Sequence, residues 1–294
     1  MAGGGRLNQP VSIICPYRDA ARFLPDLIQN VLQQTYAHWE LLLIDDSSVD
    51  RGPSIAFAAS RTDRRIRALT APQRSADAMS GPWWPRNFGI LHAQHALVAF
   101  LDADDRWHPA KLQRQLIYHQ DKSVDISITG YAKYDPALDT LICWRLPPDN
   151  VDYKSLLWGN RIPMLTVIVD RSLVLDGFQP CRHEDYLLWL NLFRKSQSIR
   201  CKTIHEMLGF YAVHANNLTS NRLMMPVWAY SVFQRHGIPT CSRPLYLIRW
   251  CFGQVLNQLR LRMHRLPLRL SKLLLEETPR RLPISANQTQ SPSV

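Results

Sequence analysis

Three acidic clusters punctuate the sequence at wide intervals: Asp45-Asp46, Asp102-Ala103-Asp104-Asp105 and Glu184-Asp185. The middle cluster is the densest. Carboxylates packed together repel one another unless a cation or an ionised donor balances them. Hard oxygen ligands of this kind suit Mg2+ or Mn2+, which leave coordination positions open for phosphate oxygens. The competing reading is a solvated acidic turn, because Asp-Asp ahead of a helix also serves as an N-cap. If the preceding strand persists, a side-chain period of two puts Asp102 and Asp104 on the same side. Asp45-Asp46-Ser47-Ser48-Val49-Asp50 offers acceptors for a ribose or a base, or else forms an Asx-type turn. Arg86 is expected near the start of a helix, where backbone N–H groups already favour anions. Its guanidinium either clamps a phosphate there or is an ordinary surface arginine. His183-Glu184-Asp185 reads as a dipole-favourable helix start, and no second His stands at ligand spacing from His183.

The elements around these residues follow from periodicity. Val11–Cys15, Glu40–Ile44, Ile66–Leu69 and Leu97–Leu101 are short apolar runs of the kind buried on both faces of a parallel sheet. A polar loop, Pro16–Arg22, follows the first. Helices are expected from Pro25, over Ile55–Ala59, Asn87–Ala96, Pro109–Gln120 and Glu184–Phe193. Further strands are expected over Asp125–Tyr131 and Leu165–Val169. Alternation of this kind predicts an α/β fold with a mostly parallel central sheet flanked by helices. Ligands of such sheets sit at the carboxyl ends of the strands. Tyr17 to Asp19, Asp45-Asp46 and Asp102 to Asp105 all gather there, which predicts one shared site.

In this order and spacing the chain resembles the family 2 glycosyltransferases, which have the GT-A, Rossmann-like nucleotide-sugar-binding fold. The matching text is Val11-Ser-Ile-Ile-Cys-Pro-Tyr-Arg-Asp19, Leu27-Ile-Gln-Asn-Val-Leu-Gln-Gln-Thr35, Leu43-Ile-Asp-Asp-Ser-Ser-Val-Asp50, Arg86-Asn-Phe-Gly-Ile90, Phe100-Leu-Asp-Ala-Asp-Asp-Arg-Trp107 with Lys111-Leu112, and Glu184-Asp-Tyr-Leu-Leu-Trp189. The resemblance implies roles. Pro16, Tyr17 and Asp19 grip the nucleoside, and Asp45 and Asp46 contact its base, usually uracil. Arg86 contacts the diphosphate, Asp102 faces the ribose and Asp104 holds a divalent metal, Mg2+ or Mn2+. Asp185 is the general base, with Glu184 the second choice. The implied reaction moves a sugar from a nucleotide sugar, usually a UDP-sugar, to a saccharide or lipid-linked acceptor with inversion. His214 and Asn216-Asn217-Leu-Thr-Ser220 fall where many members carry a polar segment near the acceptor, which makes His214 a phosphate or acceptor contact or else a structural residue. Gly81-Pro-Trp-Trp-Pro85 departs from the small residues usual before the arginine.

The bulk properties set limits. The chain has 294 residues and a net charge of +11, with 46% hydrophobic residues, ample for a buried core. The charge is concentrated: Arg235–Arg281 holds ten Lys or Arg and two acids. There Leu245, Ile248, Phe252, Val255, Leu256, Leu259 and Met263 recur at helical spacing, interleaved with Arg249, Arg260, Arg262, Arg265 and Arg269. A basic amphipathic helix of this kind either lies on an anionic membrane or packs on the catalytic domain. The expected organisation is a catalytic domain over 1–222, with a nucleotide-binding half at 10–105 and an acceptor half at 106–222. A basic helical extension over 223–284 and a disordered tail over 285–294 complete it. Six scattered Cys without CxxC, and no signal-like apolar start, predict free thiols in the cytoplasm or peripherally on the inner membrane face. No apolar stretch reaches the roughly 18 residues of a spanning helix. No nucleic-acid module is visible. A nucleotidyltransferase or a non-catalytic nucleotide-sugar-binding protein is the alternative, but Val11–Asp19 has no Gly for a phosphate loop. The absence of GxGxxG after the first strand disfavours a dehydrogenase.

Overall fold

The computed structural model describes residues 9–74, 79–120, 123–196, 198–214 and 224–262, with side chains as far as 256 in the last helix. Four parallel strands, Val11–Tyr17 (β1), Trp39–Asp45 (β2), Ile66–Thr70 (β3) and Leu97–Phe100 (β4), lie in the order β3-β2-β1-β4. β1 and β2 are buried along their whole length, as uninterrupted apolar runs require. Alternate residues of β1 serve different layers. Val11, Ile13 and Cys15 pack with Leu24, Leu27 and Val31 of α1 (Leu24–Leu32), with Ala56 of α2 (Gly52–Thr62) and with Leu112 and Leu116 of α4 (Lys111–Leu116). Ile14 joins Ile90 of α3 (Trp83–His92), Leu187 of α6 (Glu184–Lys195) and Phe233 of α7 (Met225–Arg235) on the other side.

Beyond β4 the sheet becomes mixed. β8 (Ile168–Asp170) runs antiparallel to β4 and to β6 (Ile126–Asp135), and β6 runs parallel to β9 (Cys201–Ala212). β9 pairs antiparallel with the short β5 (Arg106–Trp107), and β7 (Thr140–Arg145) folds back on β6. The mostly parallel arrangement expected from the sequence therefore describes the first four strands. The link between β6 and β7 is too short for a crossover helix, so that pair must be antiparallel.

Local boundaries differ in informative ways. Pro16 and Tyr17 close β1 instead of opening a loop. α3 starts at Trp83, ahead of the expected Asn87. Pro85 is tolerated because a first-turn N–H has no helical partner. The two tryptophans that depart from the usual small residues pin the preceding loop, Trp83 donating to the Met79 carbonyl and Trp84 to that of Pro72. Met164–Thr166 is a 3-10 turn, and strand pairing begins only at Ile168. Gly89 is where α3 meets the sheet, and a Cβ there would lie 2.4 Å from Ile44 Cδ1.

The C-terminal helices are docked on one side only. Ala229, Val232 and Phe233 of α7 and Trp250 of α8 (Arg243–Arg262) enter the core that α6 occupies. Gly253 lies against the Trp158 carbonyl, where a Cβ would come within 2.1 Å. The tail expected to be disordered, 285–294, and the extension from 263 onward lie outside the described residues. All six cysteines are free thiols.

Candidate active site

The strand ends of the parallel half are stitched together. Tyr17 stands opposite Asp45 in the β1/β2 register, and the Asp46 N–H donates to the Tyr17 carbonyl. Asp19 adopts a left-handed backbone, φ +49°, and its Oδ1 accepts from Val49 N–H at 2.8 Å. Asp45 Oδ1 accepts from Ser48 N–H at 3.0 Å, so the turn alternative for that residue is realised. Asp46 is held by Arg74, Nη2 to Oδ2 2.7 Å, and burial pushes its carboxyl above the usual range although the guanidinium opposes this. Nothing in the sequence signals Arg74, a lone arginine in a loop.

Arg86 is the centre of the site. Its Nη2 donates to Asp102 Oδ1 at 2.7 Å and its Nη1 to Glu184 Oε1 at 2.6 Å, and its side chain is only 4% exposed. Burial works against the charged guanidinium, but Asp102 and Glu184 more than offset it and hold its pKa above the ordinary value. The arginine is thus neither a surface residue nor an unengaged phosphate clamp. It joins the acidic cluster after β4 to the pair that starts α6. The adjacent Asn87 fastens the approach to α6, donating to the Phe178 carbonyl at 2.9 Å and accepting from Phe178 N–H at 2.6 Å.

The strand does not persist through the acidic cluster. β4 ends at Phe100, and a turn bond from Asp105 N–H to the Asp102 carbonyl follows. Asp102 and Asp104 are therefore neighbours by virtue of a turn, and strand alternation is not the cause. Burial first, and the Asp102 charge second, raise the Asp104 carboxyl. Asp105 does not cap α4. It is buried, and its Oδ1 accepts from Ala212 N–H at 3.0 Å, tying the end of β9 to the cluster. Two residues on, His214 Nε2 lies 3.8 Å from Asp104 Oδ2, with its ring against Phe23. Asn216 to Ser220 fall outside the described residues.

Glu184 and Asp185 are adjacent but differently engaged. Glu184 is committed to Arg86, whereas Asp185 Oδ2 accepts from Asn160 Nδ2 at 2.7 Å and its Oδ1 from Tyr186 N–H at 2.8 Å. Burial raises both carboxyls, and Arg86 counteracts it in each. Asn160 carries no motif, and only the fold brings it here. The Leu27–Thr35 motif supplies the bracing: Asn30 of α1 exchanges two bonds with the Trp107 backbone, and Gln34, just beyond the helix, donates to the His108 carbonyl.

Among the described residues, no three His, Cys, Asp or Glu side chains converge as a complete cation cage. Asp104 and His214 nevertheless suit a site of the Mg2+ or Mn2+ type, in which one or two protein donors leave the remaining positions to phosphates and water. The arrangement presents a partly exposed carboxylate pair, Asp102 and Asp104, beside a desolvated carboxylate, Asp185, which is hydrogen-bonded by Asn160 and Tyr186 N–H and feels the guanidinium charge.

Comparison with known proteins fits this geometry. The glycosyl transferase family 2 profile matches residues 12–142. A putative teichuronic acid biosynthesis glycosyltransferase of Bacillus subtilis, TuaG, is 30% identical over 251 residues, covering 83% of this chain and 93% of its own. The Escherichia coli WfgD, a UDP-Glc:alpha-D-GlcNAc-diphosphoundecaprenol beta-1,3-glucosyltransferase, is 32% identical over 214 residues, 72% of this chain and 80% of its own. Among solved structures, S. aureus TarS 1-349 with UDP-GlcNAc superposes with TM-score 0.62 at 16% identity, covering 83% of this chain and 72% of that one. The Pyrobaculum calidifontis mannosyltransferase PcManGT, in complex with GDP-Man and Mn2+, gives TM-score 0.60 at 17% identity, covering 86% and 72%. Fold and relatives together define an enzyme of the GT-A glycosyltransferase class. The chain belongs to glycosyl transferase family 2.

Proposed function

We propose that the enzyme moves a sugar from a UDP-sugar to a hydroxyl of a lipid-linked saccharide by a single displacement that inverts the anomeric carbon. The observation that carries this reading is the Arg86 bridge between Asp102 and Glu184, which sets Asp185 beside the acidic cluster. Asp19, Asp45 and Asp46, with Pro16 and Tyr17, form the wall for the nucleoside. Asp102 serves the ribose. Asp104, with His214, would hold Mg2+ or Mn2+, and a bound cation supplies positive charge to the departing diphosphate. This gives His214 a role on the donor side, in place of an acceptor contact. Asp185 takes the proton from the acceptor hydroxyl as its oxygen bonds to C1 and the C1–diphosphate bond breaks. Glu184 is the poorer base because Arg86 occupies it. Alignment of the two substrates supplies much of the remaining rate.

The relative named for a diphosphoundecaprenol-linked acceptor supports a lipid-linked substrate. So does α8, whose Leu245, Ile248, Phe252 and Val255 are 68%, 67%, 55% and 54% exposed on a segment without acidic residues. No described helix is long and apolar enough to cross a membrane. This reading puts the enzyme peripherally on the inner membrane face, with α8 against anionic lipid.

Thermal shift with a panel of nucleotide sugars and Mn2+ tests the donor class. A donor at a hundred times its Kd adds about 2.7 kcal/mol to stability, and UDP-sugars are expected to raise Tm most. No shift with any UDP-sugar sinks the proposal.

A further inference from the structure

Trp228 stands where α7 passes the start of α6. The buried face of α7, Ala229, Val232 and Phe233, packs with Tyr186 and Leu187 of α6, and the Tyr186 and Phe233 rings lie 6.2 Å apart. That packing fixes Trp228 relative to Asp185, the residue before Tyr186. Trp228 itself sits at the margin of the buried face and is half-buried, with Met224 and Val227 beside it 39% and 56% exposed. Its neighbour His183 has a left-handed backbone, φ +57°, and the two rings lie 5.6 Å apart. Backbone conformations of this kind persist where the surroundings impose them, and they gather at functional sites.

The polar groups around this ring are uncommitted. Trp83, Trp84 and Trp189 each donate their indole N–H to a backbone carbonyl. The Trp228 N–H makes no hydrogen bond among the described residues and is not enclosed. Arg182, two residues before Glu184, is also half-buried and pairs with no carboxylate among the described residues. Its Cζ lies 5.9 Å from the centre of the Trp228 ring. An aromatic face beside a free guanidinium suits a pyranose. The C–H groups of the sugar cover the apolar ring, while the indole N–H and the guanidinium donate to hydroxyl oxygens.

We propose that Trp228 and Arg182 form the acceptor subsite, with the acceptor pyranose stacked on the Trp228 ring, its hydroxyls held by Arg182 and the indole N–H, and one hydroxyl directed at Asp185. This rests on the reading of the enzyme as a transferase to lipid-linked saccharides, and it names the residues that select the acceptor. The donor, at Asp102 and Asp104, does not touch them. α7 also carries α8, with the Tyr246 ring 5.9 Å from that of Phe233. The sugar and the lipid of one acceptor are thus served by neighbouring helices.

Calorimetric titration of the full chain tests the subsite. The probes are octyl diphosphates bearing glucose, galactose, N-acetylglucosamine or N-acetylgalactosamine, with octyl diphosphate as the sugar-free control. At least one sugar-bearing probe is expected to bind more tightly than the control. Trp228→Ala and Arg182→Gln should each weaken the tightest probe about tenfold and leave the control unchanged, while Trp228→Phe and Arg182→Lys should lose less. Thermal melts confirm that each variant is folded. In transfer assays Trp228→Ala should raise KM for the acceptor and leave kcat and UDP affinity near wild type, a split that a loosened fold would not give. Unchanged probe affinity in either Trp228→Ala or Arg182→Gln, or no probe tighter than the control, overturns the proposal. An equal loss of UDP affinity would place Trp228 on the donor and overturn it too. Sugar-dependent binding without transfer from any UDP-sugar would refute the reaction and leave the sugar subsite standing.

Discussion

Arg86 links two carboxylates 82 positions apart, Asp102 and Glu184, and is itself almost wholly buried. Removing one partner of a buried ion pair leaves an uncompensated charge, which typically costs about 3–5 kcal/mol. Arg86→Ala is therefore expected to lower the free energy of urea unfolding by that order, and an unchanged midpoint would contradict the bridge. Asn160 makes a subtler contribution. Its hydrogen bond opposes the rise that burial imposes on the Asp185 carboxyl. Asn160→Ala should raise that pKa further and move the acid limb of the kcat/KM profile to higher pH, with UDP affinity unchanged. A stationary acid limb would show that the amide does not tune the base. The carboxylates themselves were legible in the sequence because they end apolar strands or open a patterned helix. Of their partners, Arg86 and His214 were legible too, but the others were not. Arg74, Asn160 and the Ala212 backbone belong to segments without periodicity, and each meets its carboxylate only through the fold.

At the scale of elements, α5 (Tyr153–Leu156) and α6 are fastened to the turn after α7 through a buried imidazole. His236 Nε2 lies 2.8 Å from the Tyr153 hydroxyl and its Nδ1 2.7 Å from Asn191 Oδ1, and burial favours the neutral ring, with Nδ1–H donating to Asn191. Burial pushes its pKa down from 6.5 to about 4, and His119 on Ser127 is shifted likewise. Above pH 6.5 neither the folded nor the unfolded state binds the proton. Between 6.5 and 4 only the unfolded state does, so stability falls as the pH falls, by about 1.4 kcal/mol per unit for each group. Urea unfolding at pH 7 and pH 5 should show a loss of about 2 kcal/mol from His236, and His236→Gln should remove that share. A variant with an undiminished loss would place the titration elsewhere. The strands β1, β2 and β4 were readable because burial on both faces keeps them mostly apolar, and β3 was readable as a short run around Ile66 although it is only partly buried. In the mixed half the strand expected over Asp125–Tyr131 is β6, but the pairing was not readable, because β6, β8 and β9 are adjacent in space but far apart in sequence. The chain around Leu165 has the composition of a strand yet is turned into a 3-10 segment, where its carbonyl receives the Trp107 indole.

For the whole molecule, the fold class follows from the alternation of elements, while the attachment of the C-terminal region does not. Its basic, amphipathic sequence was compatible with a membrane helix or with a packed one. α8 has both faces: Trp250 is buried against the body, while Leu245 and Ile248 face outward. Truncation near Met225 would accordingly expose the core beneath Ala229, Val232 and Phe233, so it cannot test membrane binding cleanly. Leu245→Glu with Ile248→Glu changes only exposed positions. This double variant is expected to keep the wild-type Tm and to stop sedimenting with vesicles that contain anionic phospholipid. Unchanged sedimentation would remove α8 from the membrane surface.

The central claim is that Asp185 removes the acceptor proton beside a donor held at Asp102 and Asp104. The direct measurement is Mn2+-dependent UDP-sugar affinity together with turnover in Asp185→Asn, with Asp104→Ala as the counterpart. The expected result is wild-type affinity with turnover reduced about 10²–10⁴-fold in Asp185→Asn, and loss of the Mn2+-dependent affinity in Asp104→Ala. Wild-type turnover in Asp185→Asn would contradict the account.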